Sequence, residues 1–403
     1  MKKNLLREGF RINNIKLSAM QQQAVKSIEE WFKGERQTPY FLAGYAGTGK
    51  TTLVNYVIDK LKIKLSEVAF ACYTGKAALV VTKKAQGKYK ASTIHSLIYD
   101  TYVDKKTGDL TVNKKSKDTL SHLKLIVIDE ASMVDGQIMS DLKSFGIKIL
   151  FIGDTGQLPP VSQNKNEEFL QMFNNPDFTL TEIHRQATEN PIIHLSMLAR
   201  TKQKIEPGTY GKNGEAVVIP HSTWETMKEH FYETADQIIC GYNRTRKHLN
   251  SEIRKFLGYE SDFPLEGDKM ICLKNDWDKN LDDISLVNGI TGYVSKVYQE
   301  DAVREKLKYD STVIDFQPDF TDDYFEKLII PNDSLTDDSF KLQPYEHKIY
   351  NSFDYGYVIT CHKSQGSQWE KIVVIDEVLD RDMHHRWLYT AITRSSEKLV
   401  LVI

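Results

Sequence analysis

Cysteine is scarce in this chain. The four present, Cys72, Cys240, Cys272 and Cys361, lie far apart and never form a Cys-x-x-Cys pair. Neither a disulfide framework nor a zinc site is expected, and a reducing compartment fits. Long apolar runs are missing too. None approaches the roughly 20 residues that cross a bilayer, so no membrane contact is expected. Met1 to Ile12 has no long apolar core and does not read as a signal peptide. No internal repeat and no low-complexity tract stands out. Excess charge of either sign is absent: the net charge is −2, which argues neither for nor against a polyanionic partner.

What is present is an α/β alternation. At 403 residues the chain is too long for one simple core, and two to four structural units are expected. Short apolar strands at Tyr40–Ala43, Val68–Cys72, Leu123–Ile128 and Ile147–Ile152 alternate with helical stretches at Ala19–Phe32, Thr51–Leu61 and Gly75–Lys83. A second alternation runs through Gln237–Gly241, Thr245–Leu257, Gly356–Thr360, Lys371–Ile375, Arg386–Ile392 and Leu399–Ile403. Mainly parallel sheets follow. Two stretches break the pattern. Asp100–Leu120 reads as a hairpin turning at Lys105–Gly108, and Glu266–Glu346 as a small β-rich insertion.

Gly44-Tyr45-Ala46-Gly47-Thr48-Gly49-Lys50-Thr51 follows the first strand and opens a helix. This is the Gly-x4-Gly-Lys-Thr phosphate loop in its strand–loop–helix setting. Glycines let backbone N–H groups close around a triphosphate, and the helix N-terminus adds partial positive charge. Lys50 can reach the β- and γ-phosphates, and Thr51 can ligate Mg²⁺. A nucleoside triphosphate and Mg²⁺ are therefore the expected ligands, with Gly47, Thr48, Gly49, Lys50, Thr51 and Thr52 as binding residues. The strand Leu125–Ile128 ends in Asp129-Glu130. Asp129 suits the Mg²⁺ shell, and Glu130 can orient and deprotonate an attacking water. Gln157, in Gly153–Val161, follows another apolar strand and can sense the γ-phosphate or that water.

The motif series resembles the superfamily 1 helicases, and most closely their 1B branch of the RecD and phage Dda type. Gln21 looks like the adenine-reading Q motif, Gly44–Thr51 like motif I, Thr74–Ala78 like motif Ia and Thr93–Leu97 like the DNA-contacting segment after it. Asp129-Glu130, Gly153–Val161, Leu180–Gln186, Ile359–Gly366 and Tyr389–Arg394 look like motifs II to VI. The resemblance covers residues 17 to 403. It implies two RecA-like parallel-sheet domains with a β-hairpin pin and a small SH3-like insertion. The expected boundaries are 1–175 for the first domain, with the pin at about 98–122. The second domain takes 176–265 and 346–403, and the insertion 266–345. Arg185 and Arg394 are implied as arginine fingers, and Gly366 lies near the nucleotide.

The resemblance further implies an ATP-dependent DNA helicase moving 5′→3′ on single-stranded DNA and unwinding duplex junctions. Phosphate contacts fall to Thr74, Lys76, Thr93, His95, Asn243, Thr360, His362 and Lys363. A protein-displacing translocase with weak unwinding, and a nucleotide-switched binding module, are the competing readings. Lysines crowd the hairpin region, whereas residues 300–346 carry 13 acidic and 5 basic side chains. That asymmetry would steer a polyanion to one side. A compact, monomeric motor of the bacterial or phage-infected cytoplasm is expected. Its partners would be a single-stranded-DNA-binding protein or replication and recombination proteins. No nuclease-like acid cluster is seen.

Overall fold

The computed structural model describes residues 17–85, 88–103, 110–159, 167–182, 189–281, 284–298 and 307–403. The chain forms two compact units. The first comprises Met1–Tyr73, Val81–Asp100 and Asn113–Thr188; the second comprises Thr74–Val80, Thr101–Val112 and Glu189–Ile403.

The first unit is built on β1 (Tyr40–Gly44), β2 (Val68–Cys72), β3 (Ala91–Thr93), β6 (Leu125–Asp129), β7 (Lys148–Gly153) and β8 (Phe178–Leu180). They pair in the order β3-β2-β6-β7-β1-β8, every pair parallel. Every residue of β1 is buried, as in a parallel strand covered on both faces. Around this sheet run α1 (Ala19–Lys33), α2 (Lys50–Leu61), α4 (Ile94–Ile98), α5 (Gly136–Ser144) and α6 (Glu167–Asn174), while α3 (Gly75–Lys84) is divided between the two units. Phe41, Ile126, Ile128, Phe151 and Phe173 are fully buried in one core, with Phe41 stacked on Phe173 at 5.8 Å. Ser18 starts α1 with a full capping box: its hydroxyl accepts from Gln21 N, and the Gln21 side chain accepts from Ser18 N. Between β3 and β6, β4 (Tyr99–Val103) and β5 (Leu110–Lys114) form the expected two-stranded ribbon. The turn assigned to 105–108 lies outside the described residues.

The second unit carries a similar sheet. β9 (Gly208–Tyr210), β10 (Ala216–Ile219), β11 (Gln237–Cys240), β19 (Val358–Thr360), β20 (Trp369–Ile375) and β21 (Ser395–Val402) pair in the order β19-β11-β20-β21-β10-β9. All these pairs are parallel except that between β9 and β10. Its longer helices are α7 (Pro191–Arg200), α8 (His221–Thr234), α9 (Asn243–Phe256) and α10 (His384–Ile392). The insertion holds β12 (Lys269–Cys272), β13 (Asp276–Leu281), β14 (Ile284–Leu286), β15 (Thr291–Tyr298), β16 (Ser311–Pro318), β17 (Phe325–Pro331) and β18 (Phe353–Tyr355). Five of these make an antiparallel sheet in the order β17-β16-β15-β12-β18. The insertion is fastened by a buried ion pair: Arg254 Nε lies 2.9 Å from Asp268 Oδ1, and the guanidinium lies 4.1 Å from the Tyr355 ring.

Two expected boundaries move. The first unit continues past 175, because β8 pairs with the edge of β1 and completes its sheet. The insertion sheet continues past 345, because β18 is the antiparallel partner of β12. One thiol or more falls in each large sheet: Cys72 ends β2, Cys240 ends β11, Cys272 ends β12 and Cys361 follows β19. All four are free and buried.

Candidate nucleotide and nucleic-acid site

Three strand ends meet along one edge of the first sheet. β7 lies between β1 and β6, and all three run parallel. Their carboxyl ends therefore bring the 44–51 loop, Asp129-Glu130 and the 153–157 turn to the same side. β1 is also where the chain order reverses, with β2 placed beyond β6 and β7 on one side and β8 on the other. Ligands of open parallel sheets bind at such a switch point.

The loop is wound by two left-handed glycines, Gly47 at φ 78° and Gly49 at φ 73°. An L side chain is strained at such angles. Lys50 Nζ donates to the Gly44 carbonyl at 2.7 Å and the Tyr45 carbonyl at 3.0 Å. Thr48 is buried, and its hydroxyl also donates to Tyr45 O, at 2.9 Å. The ammonium thus closes the loop into a ring whose backbone oxygens it can exchange for phosphate oxygens. Gln21 supports this ring: its Nε2 donates to Thr48 O at 3.2 Å. The residue expected to read a base is buried beneath the phosphate loop. Thr52 is exposed on the first turn of α2.

Thr51 Oγ1 lies 3.4 Å from Asp129 Oδ2, while Asp129 Oδ1 accepts from Glu130 N at 2.8 Å. Burial pushes the Asp129 carboxyl above its ordinary value, and the neighbouring Glu130 adds to the rise. Glu130 has φ 55°. A non-glycine residue there costs on the order of 1–2 kcal/mol, a strain typical of functional positions. Gln157 is 7 % exposed, and its Oε1 is buried with no hydrogen-bond partner among the described residues. A buried amide oxygen without a partner costs about 1–3 kcal/mol, so this acceptor suits a ligand or water. The turn itself is fixed by Asp154, whose carboxylate accepts from Gly156 N at 2.9 Å. Asp154 lies inside the 153–161 segment and was legible there as an Asx turn.

Of the residues expected to meet nucleic acid, Thr93 and His95 belong to the first unit. Thr93 caps α4, its hydroxyl accepting from Ser96 N at 3.1 Å. His95 sits between Tyr73 and Tyr99, with ring centroids 6.2 and 5.6 Å away, and burial lowers its pKa.

The rest belong to the second unit. Thr74 accepts from Ala77 N at 3.2 Å. Gly366, at φ 73°, lies against it: a Cβ there would stand 3.0 Å from Thr74 Oγ1. Asn243 is exposed as the first residue of α9. Thr360 precedes a turn of helix carrying His362 and Lys363, both half-buried, and burial lowers the pKa of each. Lys76 departs from expectation. Its ammonium is buried, donates to Thr291 Oγ1 at 2.9 Å, stands 3.7 Å from Asp319 and lies over the Trp369 ring at 4.3 Å. Burial pushes its pKa down to about 8, against the pull of Asp319. A side chain so engaged does not face a phosphate here. Arg394 is 4 % exposed and donates to Thr390 O at 3.0 Å and Ser367 O at 3.3 Å. Arg185 lies outside the described residues. Sequence reasoning missed Glu377, which binds the loop before Asn243; the two are over a hundred residues apart and no motif links them.

Residues 16–216 match the AAA domain family, and residues 355–402 match the UvrD-like helicase C-terminal domain. The chain is 26 % identical to the ATP-dependent DNA helicase Pif1 of Campylobacter jejuni, over 90 % of this chain and 88 % of that protein. It is 25 % identical to the ATP-dependent RecD2 DNA helicase of Deinococcus radiodurans, over 89 % of this chain and 46 % of that one. It spans 36 % of an uncharacterised Methanocaldococcus jannaschii protein at 25 % identity, so the chain spans less than half the length of two of these three relatives. The fold resembles that of the Bacteroides Pif1 helicase solved with ADP-AlF3 and single-stranded DNA. The TM-score is 0.54 at 21 % identity, covering 96 % of this chain and 92 % of that one. Both domain matches stand in the order of the motif series, over an α/β fold shared with Pif1, and together with the Pif1 and RecD2 relatives they support a superfamily 1B helicase.

Proposed function

We propose that this chain is an ATP-dependent DNA helicase that translocates 5′→3′ on single-stranded DNA and opens duplex junctions. The observation that carries the reading is the shared strand edge of the first unit. There the Lys50 ring, the Thr51–Asp129 pair, strained Glu130 and the unspent Gln157 oxygen stand together. The direction follows the family.

The loop amides and Lys50 bind the triphosphate, and Gln21 ties the loop to α1. Thr51 and Asp129 offer the hard oxygen ligands that suit Mg²⁺, with the remaining positions left to phosphate and water. When bound, that ion neutralises charge on the phosphates. Glu130 takes a proton from the attacking water, and Gln157 orients it. Arg185 and Arg394 stabilise charge that develops on the γ-phosphate. Asn243, Thr360, His362 and Lys363 hold the DNA backbone without reading sequence. The β4–β5 ribbon is the wedge.

The test is strand separation on 5′-tailed and 3′-tailed DNA duplexes, with an RNA-tailed control, beside ATP turnover with and without single-stranded DNA. Unwinding confined to the 5′-tailed duplex is expected. DNA-independent turnover without unwinding overturns the helicase assignment.

A further inference from the structure

At the carboxyl edge of the second sheet, one carboxylate organises an entire loop. Glu377 follows β20. Its Oε2 accepts from Gly241 N at 2.7 Å and Tyr242 N at 2.8 Å, and its Oε1 accepts from Thr245 Oγ1 at 2.6 Å. Tyr242 is tied again from its far end, where the phenol donates to Val378 O at 2.6 Å. Gly241 is packed so closely that a Cβ there would collide with Leu379 and Glu377. The loop therefore has one conformation, held by side chains outside any motif.

What this scaffold displays is unusual for a solvated turn. The Arg244 guanidinium lies 5.1 Å over the Tyr242 ring. Val378 and Leu379 are 50 % and 41 % exposed. The exposed Asn243 stands between Tyr242 and Arg244. In the sheet, β11 neighbours β19, with Cys240 in register with Thr360. The loop after β11 therefore lies beside the end of β19, where Thr360 stands. A flat cation–aromatic pair next to apolar side chains suits the faces of unpaired bases, because every base has a π-face.

We propose that Tyr242, Arg244 and Leu379 form a platform on which unpaired bases of single-stranded DNA rest, and that Glu377 is the positioning residue that holds it. The inference rests on the helicase reading and adds a base-directed site to its backbone contacts. Leu379 supplies apolar contact, and Arg244 adds a planar guanidinium cation. A platform of this kind favours bases over abasic backbone without preferring one sequence.

The experiment compares fluorescence-anisotropy binding of an oligo-dT and an abasic oligonucleotide of equal length to the full chain. Wild type, Leu379→Ser, Tyr242→Ala, Glu377→Ala and Glu377→Gln are measured, each with its melting temperature. Wild type should bind oligo-dT the more tightly. Leu379→Ser and Tyr242→Ala should each weaken oligo-dT binding about tenfold and leave abasic binding unchanged. Glu377→Ala should match them, with partial rescue in Glu377→Gln. Leu379 is exposed, so its variant should keep the wild-type melting temperature and remain a fair test. Equal affinity of wild type for both oligonucleotides, or oligo-dT binding unchanged in Leu379→Ser, overturns the platform. An equal loss on both oligonucleotides in Glu377→Ala makes that residue merely structural and overturns its positioning role. Failure of wild type to bind either oligonucleotide overturns the helicase reading itself.

Discussion

Thr51 Oγ1 and Asp129 Oδ2 stand 3.4 Å apart, joining the first turn of α2 to the end of β6 across 78 residues of chain. The separation is long for an O–H···O bond. The hydroxyl and the carboxylate are hard oxygen donors of the kind that would hold one small divalent cation. Burial makes the charge on Asp129 costly until such a cation arrives.

Asp129→Asn should therefore raise the melting temperature of the nucleotide-free protein near neutral pH while abolishing Mg²⁺-dependent ATP turnover. The sign follows from linkage. The folded chain holds the Asp129 proton more tightly than the unfolded chain. Between the unfolded value and the raised folded value, stability falls as pH rises. Above the folded value the full cost is present. Calorimetry across that range checks this, and the difference between Asp129→Asn and wild type should shrink as pH falls below the unfolded value.

Lys50→Ala removes the ammonium that closes the loop on Gly44 and Tyr45, and turnover should be lost. Glu130→Gln keeps the shape of the site, so ATP should still bind while hydrolysis falls by at least about 10²-fold. Titration with a fluorescent nucleotide, beside steady-state phosphate release, separates the two effects. Near-normal turnover in Glu130→Gln would falsify its role as base.

Arg394→Ala should lower kcat by roughly 10³-fold, with a smaller effect on nucleotide affinity. Because Arg394 is buried and bonded to Thr390 and Ser367, some loss of stability should accompany it. Arg394→Lys keeps the charge but not the planar fork. If Arg394→Lys restores stability and not kcat, the guanidinium acts on the phosphate.

Replacing Val103–Val112 by a short Gly-Ser turn should spare DNA-stimulated ATP hydrolysis and cut duplex separation sharply. Each base-pair step costs about 1.4 kcal/mol of stacking to open. ATPase, translocation and unwinding measured on one preparation decide it: unwinding at the wild-type rate places the wedge elsewhere.

The strands β1, β2, β6 and β7 were legible because each is an apolar run bounded by turn residues or charge, and the loop and acid pair sit at their ends. β3 and β8 escaped notice: three residues, Ala91–Thr93 or Phe178–Leu180, carry no period of their own. Asn190-Pro191 was a readable helix start for α7 that the alternation obscured. The burial of Lys76 could not be read, since Thr291 lies 215 residues away in sequence. Nor could the pairing of β18 with β12, which only the folded sheet brings together. Motif residues were found by local pattern; their partners were set by long-range contact.

The four thiols make this chain its own opening sensor. Cys72, Cys240, Cys272 and Cys361 are at most 1 % exposed, and burial pushes every thiol pKa up. A buried, protonated thiol is inert to alkylation until the structure around it opens. Because the thiols are shared among three sheets, pulsed alkylation read by mass spectrometry reports the opening free energy of each sheet separately. The same labelling repeated with nucleotide or with DNA shows which sheet each ligand tightens, with no probe attached and no residue replaced.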